Sequence, residues 1–315
     1  MTFVNTQPHA ADALSLVELD LYHLIMDYRA EMGLEPIPLS LALTTTAGRH
    51  AADTAYNIWQ AGLVLPTGAN LHSWSDAPYY GDHSQPQVMW DAPERIGTGY
   101  TDYGFEISAA GYGSNESALA GWKASSGHNQ VIVNQGAWAN WDWNAIGIGV
   151  ITDPSAGGPY GGRVYHVWFG RTGDAAPDIS GTAAGESIAG TAFDDTMLGR
   201  GGRDRLAGGD GDDILRGQGG GDRLTGGAGD DVLTGGARID RFVFAGRDWG
   251  RDRVTDYDGD IVVIRGEVQT RAALDAALSE RNGNVIYDMG GDGRNVIVFE
   301  GIDKAALDLD HFVLI

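Results

Sequence analysis

Two kinds of apolar patterning divide the chain, and they change over near residue 178. In the first part, apolar residues fall at helical and then at strand spacing. Leu16, Leu19, Leu24, Ile25 and Met32 follow Ser15 and Glu18, which read as a capping box, and Gly33 suits the C′ position. A second helical stretch covers about Ala47–Gln60, and Ser114 can cap a third that runs to about Trp122. "AIGIGVIT" and "GRVYHVWFG" then alternate with period two, and the Gly/Pro-rich "DPSAGGPYGG" between them predicts an antiparallel hairpin. Helices followed by strands predict an α/β layered domain over residues 11–172, with "GDAAPDIS" (173–180) as a linker.

From Gly181 the period becomes nine. The units are "GTAAGESIA", "GTAFDDTML", "GRGGRDRLA", "GGDGDDILR", "GQGGGDRLT", "GGAGDDVLT" and "GGARIDRFV", continuous to Val243. The sixth position is acidic throughout: Glu186, Asp195, Asp204, Asp213, Asp222, Asp231 and Asp240. The eighth is apolar throughout: Ile188, Met197, Leu206, Leu215, Leu224, Leu233 and Phe242. Each unit reads as a six-residue glycine-rich loop and a three-residue strand. So short a strand buries its apolar centre only by stacking, which lines the eighth positions up as one inner column. Loops n and n+2 then share an edge, bringing Asp213 near Asp231 and Asp204 near Asp222. Glycine is costly to order, and crowded aspartates repel. A bound cation offsets both, and a cage of carboxylates and carbonyls is a hard oxygen site that suits Ca²⁺ better than Zn²⁺.

This pattern resembles the RTX (hemolysin-type) calcium-binding nonapeptide over about residues 181–245, and "GGDGDDILR" and "GGAGDDVLT" match at every fixed position. The resemblance implies a right-handed parallel β-roll with Ca²⁺ between coils. The calcium ligands it implies are Asp195, Asp204, Asp213, Asp222, Asp231 and Asp240, with the Asp213–Asp231 site first and Asp204–Asp222 second. Thr182 and Thr191 replace the second glycine in the first two units, and Arg238 stands where glycine is expected, so the loop is expected to degrade there.

Residues 246–315 carry further strand patterns, "GRDRVTDYDGDIVVI", "NVIYDM" and "NVIVF", with "GGDGR" as a plain turn. They read as a β-rich cap on the open end of the roll. The ending "LDLDHFVLI" resembles the uncleaved C-terminal signal of type I secretion substrates. The opening "MTFVNTQPHAADALSL" has no basic segment followed by an apolar core, which argues against a cleavable leader. No apolar run is long enough to cross a bilayer.

Charge and cysteine narrow the partners. Residues 1–177 carry 17 acidic and 6 basic side chains, and residues 178–315 carry 26 and 15, giving the net −22. That balance suits cations and disfavours nucleic acid and anionic membranes. With no cysteine, neither a disulfide framework nor a thiolate metal site can form. The expectation is a secreted, extracellular bacterial protein that meets the type I secretion machinery and folds its repeats outside, where calcium is plentiful.

In the first domain, "LYHLIMDYRAEMGLEPIPLS", "AGRHAADTA", "LHSWSD", "EISAAGYGSNESALAGWKASSGH", "AIGIGVI" and "YHVWFG" resemble, in order, the segments of the CAP superfamily (cysteine-rich secretory proteins, antigen 5, pathogenesis-related 1) over about residues 13–170. The resemblance implies a three-layer α-β-α sandwich with a central cleft. His72, Glu106 and His128 match three of the four residues that line the cleft, and the second family Glu is missing near Ser125. Ile107 and Asn129 depart from the bacterial pattern as well. Two imidazoles and a carboxylate can hold Zn²⁺ with an open position or do acid–base work. No nucleophile motif accompanies them. His50 reads as structural, His83 and His166 as surface or packing residues, and Trp138, Trp141 and Trp143 as core packing or a ligand-contacting loop.

The first functional reading is therefore a secreted calcium-binding protein whose CAP domain binds a ligand, a lipid or a surface partner. The second is a secreted metal-dependent hydrolase, a protease for example, which the incomplete cleft set weighs against. The third is a structural component of the cell exterior.

Overall fold

The computed structural model describes residues 10–246, 248–266, 270–288, 290–291 and 293–315. Residues 1–9, within the segment read for a leader, lie outside them, as do Met289 and Asp292 of the last hairpin. Two compact units meet at Pro177 and Asp178.

The first unit opens with α1 (Leu16–Glu31), where Ser15 and Glu18 form the expected capping box and Gly33 takes φ +75° just past the end. Glu18 does more than cap. Its other oxygen accepts from the Val150 amide at 2.8 Å, tying the helix start to the sheet. Next come α2 (Leu41–Ala52), which continues as a π-helical stretch Asp53–Gln60, and the short α3 (Gln87–Trp90) and α4 (Ala92–Arg95). Then follow β1 (Phe105–Ala110), α5 (Asn115–Ala124), α6 (Ser126–Ile132), β2 (Ala145–Thr152) and β3 (Arg163–Gly170). The strands form an antiparallel sheet in the order β1-β3-β2.

Both faces of this sheet are covered, which makes the unit an α-β-α sandwich. Gly147 and Gly149 of β2 face α2, and a Cβ at either would overlap the backbone of Leu43 or Ala47. Ile146 and Ile148, alternating with them, are wholly buried on the opposite face. The "GIG" pattern thus lets α2 lie directly on the sheet.

In the second unit the chain alternates between two sheets. One takes β4 (Ile179–Ser180), β6 (Thr196–Leu198), β8 (Ile214–Gly219), β10 (Val232–Ala237) and β12 (Arg251–Val254). The other takes β5 (Ser187–Ala189), β7 (Arg205–Asp210), β9 (Arg223–Ala228), β11 (Arg241–Ala245) and β13 (Ile261–Arg265). Pairing is parallel with an eighteen-residue register through the repeats, as in Leu206↔Leu224 and Leu215↔Leu233. The eighth-position column from Ile188 to Phe242 is buried without exception. This is the β-roll that the nine-residue period predicts.

Two features differ from the three-residue strands and the 181–245 boundary. The middle strands are six residues long, because backbone pairing runs on into the loop, as at Gly209↔Gly227. The roll also starts at Ile179 and continues through β12 and β13, whose Val254 and Val262 extend the inner column. Beyond it lie α7 (Arg271–Ala277), β14 (Leu278–Arg281), β15 (Asn284–Asp288) and β16 (Val296–Phe299). The antiparallel run β14-β15-β16 closes one sheet against β12, and β17 (Phe312–Leu314) closes the other against β13. The C-terminal apolar residues therefore form an edge strand.

Candidate functional site

Each β-roll loop ends in its sixth-position carboxylate, and these carboxylates form two ladders. The backbone amide of Asp195 donates to Asp213 Oδ1 (2.8 Å), that of Asp213 to Asp231 Oδ1 (2.9 Å) and that of Asp231 to Asp252 Oδ1 (3.0 Å). On the other edge Glu186 donates to Asp204 (2.8 Å), Asp204 to Asp222 (2.9 Å), Asp222 to Asp240 (2.7 Å) and Asp240 to Asp260 (2.8 Å). Asp252 and Asp260 extend the ladders past the repeats. The period conceals them because their spacings are 21 and 20 residues instead of 18.

The ladders use one oxygen of each carboxylate. The second, Oδ2, is buried with no hydrogen-bond partner in Asp204, Asp213, Asp222, Asp231 and Asp240. A buried, unpaired carboxylate oxygen is expensive. Repeating it five times in register calls for a shared positive partner. The oxygens also converge. A Cβ on Gly199 would lie 2.8 Å from both Asp204 Oδ2 and the Gly217 carbonyl oxygen, and one on Gly217 would lie 2.5 and 2.6 Å from Asp222 Oδ2 and the Gly235 carbonyl. Glycine at the first position leaves that spot open for a cation bounded by carboxylate and carbonyl oxygens, a donor set that fits Ca²⁺.

Burial first, and then neighbouring carboxylates, push Asp213, Asp231 and Asp240 up to about 7. Asp252 is pushed up to about 9 by the same causes, and Asp204, Asp222 and Asp260 are raised, chiefly by burial. The metal-free roll thus resists the charge its sequence prescribes.

The first two units hold their sixth-position carboxylates differently. Thr191 N–H donates to Asp195 Oδ2 (2.5 Å), and Thr182 bonds the Glu186 carboxylate through both its amide and its hydroxyl. These carboxylates are satisfied within their own loops. Asp195, expected as a calcium ligand, therefore enters its site with one oxygen already engaged. At Arg238 the expected degradation does not occur. The residue keeps the left-handed backbone of its glycine counterparts, φ +87° beside +133° at Gly229.

In the first unit, one buried carboxylate organises the histidines. Glu106 on β1 is fully enclosed. Its Oε1 lies 2.5 Å from His50 Nδ1 and 2.6 Å from His166 Nδ1, and its Oε2 lies 2.6 Å from His72 Nδ1. His50 Nε2 donates to the Ser73 carbonyl at 3.1 Å, so the proton between His50 Nδ1 and Oε1 is additional to that one. His50 is sandwiched between the Trp74 indole (4.2 Å, 6°) and the His166 ring (3.9 Å, 20°). Burial opposes a charge on Glu106, but the His50 ring above all outweighs it and holds the carboxyl well below its usual range. Burial, and then His50, pushes His166 down to about 4, which keeps it neutral.

His50, Glu106 and His166 together are a metal-ligating type of cluster. Their contacts, however, are hydrogen-bond distances, shorter than the separation of two atoms that share a zinc ion at about 2.1 Å each in tetrahedral geometry. His50 hydrogen-bonds Glu106, and His166 Nδ1 lies against the same oxygen at contact distance without hydrogen-bond geometry. His72 is the outward arm of this cluster. Its Nδ1 is fixed by Glu106 and by Ser108 Oγ (2.9 Å), which leaves Nε2 for the cleft. The His128 ring lies 6.5 Å from that of His72, half-buried. Burial, and then His72, lower its pKa, so it too is neutral near pH 7. His72 and His128 thus come together as expected, while Glu106 stands behind His72 with its own side chain enclosed.

His50 and His166 were read as structural and packing residues, and their place on Glu106 is what that reading missed. The strand register carried the signal. Ser108 pairs with His166 and Glu106 with Trp168, and period two puts all four on one face. His83 lies apart, with its Nδ1 2.6 Å from the Tyr79 hydroxyl. Trp138, Trp141 and Trp143 pack around Phe105, and Arg171 covers Trp141.

The family model for the RTX calcium-binding nonapeptide repeat matches residues 180–215 and 216–237. No curated protein matches the chain. Among solved structures, a subunit of the mannuronan C5-epimerase from Azotobacter vinelandii aligns at 29% identity and TM-score 0.32, covering 40% of this chain and 91% of that one. An extracellular SCP-domain protein from Bacillus anthracis aligns at 19% identity and TM-score 0.33, over 49% of this chain and 40% of its own. The extracellular lipase LipA from Serratia marcescens aligns at 21% identity and TM-score 0.29, over 45% of this chain and 21% of its own. The chain carries RTX calcium-binding repeats on a β-roll, and no helix among the described residues is long and apolar enough to cross a membrane.

Proposed function

We propose that this is a secreted protein whose β-roll folds on extracellular calcium and carries a CAP-like domain that binds a ligand, lipid or surface partner through the cleft at His72 and His128. The observation that carries the calcium half is the register of five buried, unpartnered Asp Oδ2 atoms. Without Ca²⁺ these loops are electrostatically unfavourable, so binding free energy becomes folding free energy. At cytosolic calcium the repeats remain unfolded, which suits export through a channel. The C-terminal "LDLDHFVLI" is the segment we assign to recognition by type I secretion machinery.

For the cleft, the support is the Glu106–His72 arrangement. A carboxylate on Nδ1 fixes the tautomer and raises the basicity of Nε2, as behind many metal-bound histidines. With neutral His128 nearby, the pair suits a divalent transition metal such as Zn²⁺, which would supply Lewis acidity toward a bound carbonyl or phosphoryl group. This keeps a metal-dependent hydrolase as the second reading, although the fourth family carboxylate is absent.

One experiment tests both halves. Zn²⁺ is titrated calorimetrically into the calcium-loaded full chain and into His72→Ala/His128→Ala. Saturable one-site binding lost in the variant supports the cleft reading, and turnover of an ester or peptide substrate by the zinc-loaded chain would favour the hydrolase. Equal heats in both proteins would remove the cleft from the proposal. A circular dichroism titration of the calcium-stripped full chain with Ca²⁺ tests the roll, and full β-roll signal in calcium-free buffer at pH 8 would refute it.

A further inference from the structure

The chain is strongly acidic, yet one face of the roll is basic. Arg205, Arg223 and Arg241 occupy the seventh position of alternate nine-residue units, and the sheet register sets them directly abreast on β7, β9 and β11. Neighbouring parallel strands lie ~4.8 Å apart, so the three side chains emerge as an evenly spaced row. Like charges opposite one another across strands are destabilising, and no acidic side chain pairs with any of the three among the described residues. Arg203 and Arg265 join the row around an open trough of about 320 Å³, which Gly221 and the ladder carboxylates Asp204 and Asp222 also line.

We propose that this row binds a linear polyanion with one carboxylate per repeating unit, a 1,4-linked polyuronate chain lying across the strands. The guanidinium fork matches a planar carboxylate bidentately, and a rigid ladder presents the forks at a repeat close to the length of one pyranose ring. The trough contains no aromatic side chain on which bases could stack. Nucleic acid is therefore the poorer fit. The row is also coupled to calcium. Each arginine directly follows a ladder carboxylate, Asp204, Asp222 or Asp240, so filling those sites removes the nearest negative charge and leaves the arginines to an external anion. This inference goes beyond the proposed function and does not rest on the histidine cleft.

The test uses the full chain in millimolar Ca²⁺, with a labelled hexauronate followed by fluorescence anisotropy. A fully methyl-esterified hexamer and a thymidine hexanucleotide serve as controls. Wild type is expected to bind the hexauronate with an affinity that falls as salt rises, and to ignore the ester. Arg205→Ala/Arg223→Ala/Arg241→Ala is expected to lose about tenfold or more in affinity. Its calcium midpoint by circular dichroism should match wild type or lie lower, which excludes a folding defect. No binding by wild type, equal binding by the variant, or equally tight binding of the nucleotide would overturn the proposal.

Discussion

Acid should do part of calcium's work. In the folded, metal-free roll Asp213, Asp231 and Asp240 titrate near 7, whereas the ordinary aspartate value is 3.8. Between those values the folded chain holds protons that the unfolded chain has released, so stability falls as pH rises through that window. A shift of this size is worth ~4 kcal/mol for a fully shielded carboxylate, and water at the loop edges roughly halves it to ~2 kcal/mol. Three such groups remove ~6 kcal/mol at pH 8, comparable with the whole stability of a small domain. The assay is far-UV circular dichroism in calcium-free buffer from pH 8 to 4.5. The β-roll signal should be weak at pH 8 and rise as pH drops through about 7. A companion Asp213→Asn/Asp231→Asn/Asp240→Asn variant keeps the Oδ1 acceptor, removes the charge and should show the signal at pH 8 without calcium. A pH-independent spectrum, together with a triple variant no better folded than wild type, would refute the electrostatic account.

Three further outcomes follow from local geometry. Thr191→Gly keeps the backbone N–H on Asp195 Oδ2 but removes the hydroxyl that ties the turn to the Phe193 backbone, so the turn loosens and the calorimetric calcium stoichiometry should rise by one. Arg238→Gly relieves a left-handed non-glycine residue, stabilising the loaded roll by ~1 kcal/mol and moving the calcium midpoint lower. Gly149→Ala drives a methyl group into the Ala47 carbonyl, and ~2 kcal/mol or more of overpacking should lower the melting temperature of the first unit by ~5 °C while calcium binding is unchanged.

The repeats were legible because each loop-and-strand unit is one period of the sequence, and two units make one eighteen-residue coil. Acidic and apolar positions nine residues apart imply the ladder and the column directly. Asp252 and Asp260 escaped because the coil lengthens by two or three residues while keeping its geometry, and a fixed period has no means of following an insertion. The cluster in the first unit was hidden for another reason. His50 sits on α2 and His166 on β3, 116 residues apart in sequence, and they meet only because two glycines on β2 let the helix lie against the sheet. No spacing rule encodes that contact. His72 and Glu106 came through motif resemblance, which gives their company without saying which of them faces the cleft.

A roll built from identical coils is an open lattice, and nothing in its repeat says where to stop. The threonine-bonded carboxylates of the first two units act as a terminus. Continuing the register one step upstream of Asp195 leads to Pro177, which has no amide proton to donate to that carboxylate. With its first carboxylates already satisfied and no amide proton at the next position, the carboxylate ladder has no rung to extend at this end. The same loops that engage their own carboxylates thus set the first rung of the ladder in a repeat that otherwise has no built-in beginning.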